Sequence, residues 1–84
     1  MMSTPKSQEE ITIDWKAVGR RIRELRGFDS KQSDIAAAIG VAQSRISAIE
    51  HGQGEVGALI LLRIARHYGK SIEWLLTGRD AKAS

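Results

Sequence analysis

Apolar residues recur at helical spacing along much of this chain, and polar or glycine residues separate the apolar stretches. Trp15, Val18 and Ile22 follow one another at steps of three and four residues, which is typical of one face of a helix. Asp14 precedes this stretch and Gly27 follows it. The pattern therefore predicts a first helix that begins after an aspartate cap and ends before a glycine.

The same signals predict four further helices. Ser30 and Ser71 are suitable caps for the second and the fifth helix, whereas Ala42 offers the third helix no side-chain acceptor, an omission that costs about 1 kcal/mol. The chain shows no strand-like alternation of useful length and no internal repeat. We therefore expect an all-α fold in which the later helices cover residues 31–39, 43–50, 58–68 and 72–76.

The segment from Gln32 to Gly52, QSDIAAAIGVAQSRISAIEHG, is the most informative part of the pattern. Gly40 lies where the chain must turn between two short helices, and Ala36 is small where those helices cross. The positions expected to face the core are all apolar, namely Ile35, Ile39, Val41, Ile46 and Ile49. Those expected to face outward are short or polar, namely Gln43, Ser44, Arg45, Ser47 and Ala48. This arrangement predicts a helix-turn-helix whose second helix is exposed for the DNA major groove.

Length and composition support one small domain. The 84 residues carry a net charge of +3, which favours an anionic partner only weakly, and the absence of cysteine excludes disulfides, thiolate zinc sites and a cysteine nucleophile. We expect a disordered N-terminal arm over residues 1–11, the DNA-binding domain over 12–78 and a flexible tail over 79–84.

The sequence shows no sign of a signal peptide or of a membrane-spanning segment. The first ten residues hold no apolar run, and the longest apolar stretch, Val56 to Leu62, is too short to cross a bilayer. We therefore expect a cytoplasmic protein with no membrane partner, no evident small-molecule ligand and no cofactor.

Four segments in order resemble the Cro/Xre-type helix-turn-helix family, which includes phage repressors and restriction-modification controller proteins. They are GRRIRELR, QSDIAAAIGVAQSRISAIEHG, LLRIARHYG and SIEWLLTG, and the resemblance covers roughly Trp15 to Gly78, nearly the whole region expected to be ordered. The resemblance implies a compact five-helix, all-α, lambda-repressor-like domain that is often dimeric.

The resemblance also implies which residues read DNA. In this docking mode the recognition helix places its N-terminal residues on base edges, which assigns base contacts to Gln43, Ser44 and Ala48, with Ser47 on the flank. A glutamine amide both donates to and accepts from adenine, serine pairs with several bases, and an alanine methyl can meet a thymine methyl. The competing interpretation is that these residues only solvate an exposed helix.

Phosphate contacts are expected around the reading helix. The resemblance implies that Gln32, at the start of the second helix, binds a phosphate with the help of free N–H groups there. Lys31, which could equally be an ordinary surface lysine, and the loop residue Gln53 are further candidates. The Arg45 guanidinium fits either guanine or a phosphate, and we favour the phosphate.

Members of the resembled family pair two charged positions in an inter-helix salt bridge, and here the resemblance implies Arg21 with Glu50. Glu50 is therefore expected to be structural, since a lone carboxylate without a base partner is poor evidence for acid–base catalysis. His51 and His67 have no carboxylate at helical spacing to complete a metal site. We expect no metal and no enzymatic activity.

Apolar residues late in the chain are candidates for a dimer surface. Leu59 and Ile60 widen the apolar face of the fourth helix, and they are covered either by other helices of the chain or by a second chain. Alternatively, Leu59 and Ile60 are simply exposed, since single apolar residues are common on protein surfaces. With the fifth helix, the expected interface comprises Leu59, Ile60, Ile72, Leu75 and Leu76.

The expected function is sequence-specific DNA binding by a homodimeric transcriptional regulator, a repressor that acts on a palindromic operator in double-stranded DNA. Within that class the sequence leaves a phage-type repressor, a restriction-modification controller and an autorepressing antitoxin open. The alternative is a protein-interaction module, for example antitoxin-like, that reuses the fold without sequence-specific DNA binding. The polar residues at the starts of the second and third helices argue against that alternative.

Overall fold

The computed structural model describes residues 11–79, which form five helices. These are α1 (Trp15–Arg26), α2 (Gln32–Ile39), α3 (Gln43–Glu50), α4 (Ala58–Tyr68) and α5 (Ile72–Thr77). The described range contains no strand, so the predicted all-α architecture is confirmed. Apart from Ile11 and Arg79, the predicted arm and tail lie outside the described residues.

Side-chain caps explain where two of the helices begin. The Asp14 carboxylate accepts a hydrogen bond of 3.1 Å from the Ala17 amide at the start of α1. The Ser71 hydroxyl accepts one of 2.9 Å from the Trp74 amide at the start of α5. Both caps were expected from the sequence, as was the lack of one at Ala42, which precedes α3 and makes no side-chain capping bond.

The predicted cap of α2 is wrong. Lys31, not Ser30, is the residue that precedes the helix, and its own amide donates to the Asp34 carboxylate over 2.9 Å. The Ser30 carbonyl instead accepts a hydrogen bond of 2.9 Å from Arg26. Asp34 thus satisfies an amide at the N-terminus of α2 and places a negative charge in its first turn, where the helix dipole favours one.

The turn between α2 and α3 depends on a left-handed residue. Gly40 adopts φ 77° and ψ 37°, a conformation that costs glycine nothing and most other residues a steric penalty. The amides of Gly40 and Val41 both donate to the Ala36 carbonyl over 2.9 Å. Ala36 is only 3% exposed, and its small side chain belongs to the buried core.

Every helix contributes to one core. In the described region α1 packs against α3 and α5, α2 against α3 and α4, and α4 against α5. Trp15 and Trp74, which the sequence assigned to the core, are half-buried and pack against its edge. The largest fully buried side chains are Val18, Ile22, Ile35, Ile46, Ile64 and Leu75.

Two arginines complete the ends of other helices. The Arg21 guanidinium of α1 donates to the Leu75 carbonyl of α5 over 2.8 Å. The Arg63 guanidinium of α4 donates to the Ile39 carbonyl at the end of α2 over 3.2 Å. Because the last carbonyls of a helix lack intrahelical partners and carry partial negative charge, both contacts stabilise the packing of the helices that they join.

Candidate nucleic-acid interface

The outward face of α3 is polar and accessible. Gln43, Ser44 and Arg45 are exposed, whereas Ser47 and Ala48, one turn further on, are half-buried. Ile46 and Ile49 of the same helix are buried on the opposite side. The helix therefore presents short or hydrogen-bonding side chains to solvent and is fixed to the domain by its two isoleucines, as a recognition helix requires.

The C-terminal end of α3 is fixed by an ion pair with α1. Arg26 Nε lies 2.7 Å from Glu50 Oε2, and Arg26 Nη2 lies 2.8 Å from Glu50 Oε1. The Glu50 side chain is only 2% exposed and that of Arg26 is 16% exposed. This two-point geometry holds the end of α3 against α1 in one orientation.

The predicted pairing of Glu50 with Arg21 is therefore wrong in its arginine. Arg21 lies on the side of α1 that faces α5, where it binds the Leu75 carbonyl. Five residues separate Arg21 from Arg26, which places them on different faces of a helix with 3.6 residues per turn. Glu50 itself has the structural role that the sequence predicted.

Gln32 joins the same network. Its amide nitrogen donates to Glu50 Oε1 over 3.0 Å, and the residue is half-buried at the start of α2. One Glu50 oxygen thus receives hydrogen bonds from both Arg26 and Gln32. An amide nitrogen carries two donors, so this contact orients the Gln32 amide and leaves a second N–H for another acceptor.

The network determines the protonation of Glu50. Burial alone would raise the pKa of the Glu50 carboxyl, but hydrogen bonds from Arg26 and Gln32 and the positive charges of Arg26 and Arg23 outweigh burial and hold the pKa below its usual value. The hydrogen bond to Glu50 likewise raises the pKa of Arg26. Glu50 is therefore an acceptor at neutral pH and is not suited to proton transfer.

The other residues predicted to bind phosphate are accessible to solvent. Lys31 and Gln53 are exposed, as is Arg45 on α3. Within residues 11–79 the pair between Arg26 and Glu50 is the one salt bridge, so neither Lys31 nor Arg45 has its charge neutralised by a carboxylate there. Both cations are available to an anionic partner.

Two glycines allow α1 to approach α3 and the turn after it closely, a role that the sequence analysis did not assign to them. A Cβ atom on Gly19 would lie 2.5 Å from the Ile49 carbonyl oxygen and 2.6 Å from that of Glu50. A Cβ atom on Gly52 would lie 2.7 Å from the Lys16 Cα. A glycine inside a helical pattern was the signal that could have indicated this close contact.

The histidines lie apart and form no metal site. His51 Nδ1 lies 2.7 Å from the Ser47 carbonyl oxygen, and His67 contacts the Tyr68 ring edge-on. Residues 11–79 contain no cluster of histidine, cysteine or carboxylate side chains that could hold a metal ion. None of the helices described there is long and apolar enough to cross a membrane.

The structure corrects the predicted dimer surface at one residue. Leu75 has no solvent exposure and belongs to the core of its own chain, so it is not available to a second copy. Leu59 is 59% exposed, while Ile60, Ile72 and Leu76 are half-buried against the core. The amphipathic pattern of α5 could not separate Leu75 from Leu76, because the direction in which so short a helix faces depends on its packing.

Solved structures that are similar to this chain include regulators of transcription and of restriction-modification. The controller protein C.AhdI from Aeromonas hydrophila is 28% identical over 75% of this chain and 97% of its own, with a TM-score of 0.68. The P22 c2 repressor, solved in complex with a synthetic operator, is 28% identical over 74% of this chain and 96% of its own, with a TM-score of 0.69. The gene regulator ClgR from C. glutamicum shares the fold at 23% identity over 77% and 86% of the two chains, with a TM-score of 0.65.

A comparison with curated protein sequences finds no match. The helix-turn-helix family model HTH_3 matches residues 20–75, which include most of α1, all of α2 to α4 and most of α5. That range is more than half of the chain. Together with the lambda-repressor-like arrangement of its five helices, this match shows that the chain belongs to the Cro/Xre-type helix-turn-helix family.

Proposed function

We propose that this chain is a sequence-specific transcriptional repressor that binds a palindromic operator as a homodimer, with α3 in the major groove. The family match and the regulators of similar structure support DNA-binding transcription regulation. The observation that carries the finer proposal is the contrast within α3. Its N-terminal residues are exposed and polar, while its C-terminal Glu50 is locked to α1 and α2.

Base reading is assigned to the outward face of α3. Ser44 and Ala48 are four residues apart and lie on one face of the helix, with Gln43 and Ser47 to one side. The Gln43 amide suits adenine, and the short side chains of the other three residues allow the helix backbone to approach the base edges closely.

Phosphate binding is assigned to residues that border this face. The Glu50 carboxylate orients the Gln32 amide, whose second N–H and the free amides at the start of α2 suit a phosphate oxygen. Lys31, Arg45 and Gln53 are exposed and supply further contacts. Contacts of this kind fix the register of the protein on the duplex and its affinity, but they do not specify sequence.

Dimerisation is assigned to Leu59, Ile60, Ile72 and Leu76. One recognition helix reads only a few base pairs, and two-fold symmetry doubles that number with half-sites about 34 Å apart. Leu59 is the most exposed of the four residues, and a second copy would remove its side chain from water. A surface late in the chain leaves α3 free for DNA.

Selection of bound sequences from a random DNA pool tests this function. The proposal expects an enriched palindrome, and a Leu59→Ser variant should select a single half-site or bind more weakly while the protein stays folded. Leu75→Ala is the matched control, because it removes a buried side chain and should cost about 2–5 kcal/mol of stability without a specific effect on symmetry. The absence of any enriched sequence would contradict the proposal and favour a protein-interaction module.

A further inference from the structure

A shallow groove between α2 and α4 has no part in the proposed DNA contacts. Ala37 and Ala38 line its α2 wall, Leu62, Arg66 and His67 line its α4 wall, and no residue of α3 contributes to it. We call this surface the α2–α4 groove. Its α2 wall belongs to the C-terminal half of that helix, whereas Gln32 lies at the N-terminus.

The α2 wall of the groove and Leu62 on its α4 wall are apolar. Leu62 is one of the exposed large hydrophobic residues, at 38% exposure, and Ala37 and Ala38 are exposed beside it. Since their side chains are small, the two alanines allow the backbone of another helix to approach α2. A partner that covered these three adjoining residues would remove their apolar surface from water.

The other residues of the α4 wall are basic. Arg63, Arg66 and His67 line it, and no carboxylate does. Arg63 donates to the Ile39 carbonyl and so neutralises the negative end of the α2 dipole inside the groove. Arg66 lies four residues after Leu62, which places an apolar contact and a positive charge on the same face of α4. Within residues 11–79 Arg66 forms no salt bridge.

These features discriminate among possible occupants. A second copy that used the same surface about a two-fold axis would bring Arg63 and Arg66 of both chains into an interface whose lining supplies no carboxylate, which like-charge repulsion disfavours. A DNA backbone would meet the arginines but would leave Leu62 and the alanines against charged phosphates. A helix with leucines on one face and carboxylates along its edge satisfies both walls.

We propose that the α2–α4 groove is a docking site for an acidic amphipathic helix of a partner protein. The apolar face of that helix lies on Leu62, Ala37 and Ala38, and its carboxylates pair with Arg66 and accept a hydrogen bond from the His67 ring. The groove thereby lets a second protein bind while α3 remains accessible, whatever DNA sequence α3 recognises.

Two designed peptides test this proposal. One is a helical peptide with leucines at positions i, i+3, i+4 and i+7 and glutamate at the flanking positions; the other has lysine in place of every glutamate. Fluorescence anisotropy should show that the full chain binds the glutamate peptide at least tenfold more tightly than the lysine peptide, and that salt weakens this binding.

Variants locate the binding site. Arg66→Glu should abolish binding of the glutamate peptide, and Leu62→Ser should weaken it at least tenfold, whereas both exposed positions should tolerate substitution with little loss of stability. Arg20→Glu on α1 is the matched control, because it makes the same change in net charge at an exposed residue outside the groove.

Four results would overturn the proposal. They are no binding of the glutamate peptide, equal binding of the two peptides, equal losses from Arg20→Glu and Arg66→Glu, and loss of self-association or of DNA binding in the Arg66→Glu variant. The last result would assign the groove to the homodimer or to nucleic acid instead.

Discussion

The two ends of α3 differ in how firmly the rest of the protein holds their side chains. At the C-terminal end, Glu50 is 2% exposed and receives hydrogen bonds from Arg26 and Gln32 at 2.7–3.0 Å. At the N-terminal end, Gln43 and Ser44 are exposed, and Ala42 provides no cap.

This difference separates the residues that fix the position of α3 in the domain from those that are free to contact bases. We call the C-terminal end of α3 the locked end and its N-terminal end the open end. The locked end fixes the angle of α3 to α1 and α2, so that substitutions there should change stability and the geometry of the whole interface. The open end leaves hydrogen-bonding groups for a ligand, so that substitutions there should leave stability nearly unchanged. This division matches the general distinction between contacts that position a protein on DNA and those that read bases.

The largest effect is expected from breaking the pair at the locked end. Arg26→Met leaves a buried carboxylate without its cation and should cost about 3–5 kcal/mol of unfolding free energy. Glu50→Gln should also destabilise the domain, but the double variant should lose less than the sum of the two single losses. A double-mutant cycle on chemical denaturation measures this coupling.

Arg21→Met is the control for that cycle. It removes one charged hydrogen bond, to the Leu75 carbonyl, and its effect should simply add to that of Glu50→Gln. Coupling of Glu50 to Arg21 but not to Arg26 would contradict the structure.

A smaller loss is expected from a single methyl group at the contact between α1 and α3. Gly19→Ala places Cβ 2.5 Å from the Ile49 carbonyl oxygen, so the helices must separate, at a cost of about 1–3 kcal/mol. Gly57→Ala is the control, because nothing lies within 4 Å of the added atom there. Thermal denaturation compares the two, and equal midpoints would show that the close approach of α1 to α3 is not a constraint.

The Glu50 carboxyl at the locked end should also make the free energy of unfolding depend on pH in the acidic range. The pKa of Glu50 is lower in the folded protein than its usual value. Its contribution to stability is therefore complete above the unfolded pKa of about 4.3, and it is lost as the pH falls through the lower, folded pKa. Denaturation series across this range should show a shallower acid decline for Glu50→Gln than for the unmodified chain. Parallel curves would contradict this assignment.

Local signals made most of the fold predictable. Helix bounds followed from Asp14, Ser71 and the glycines that end the helices, because caps and left-handed glycines act within a few residues of themselves. The buried isoleucines of α2 and α3 followed from their spacing. The outward residues of α3 followed because the opposite face of the helix was already assigned to the core.

The partner of Glu50 could not be predicted in the same way. Arg20, Arg21, Arg23 and Arg26 all lie on α1, and their spacing gives their faces but not the angle at which α1 crosses α3. That angle depends on the close contact at Gly19, which is long-range in sequence. Leu75 was misassigned for the same reason, since only tertiary packing decides which side of a short helix is covered.

The central claim is that the outward face of α3 reads sequence, while Gln32 and the exposed residues that border this face bind the DNA backbone. The most direct test measures the affinity of Gln43→Ala and Gln32→Ala for the selected operator and for each of its single-base variants. Gln43→Ala should lose about 1–3 kcal/mol of discrimination at one base pair of each half-site, with unfolding free energy changed by less than about 0.5 kcal/mol. Gln32→Ala should weaken binding to all sequences about equally. Unchanged relative affinities in Gln43→Ala would contradict the account.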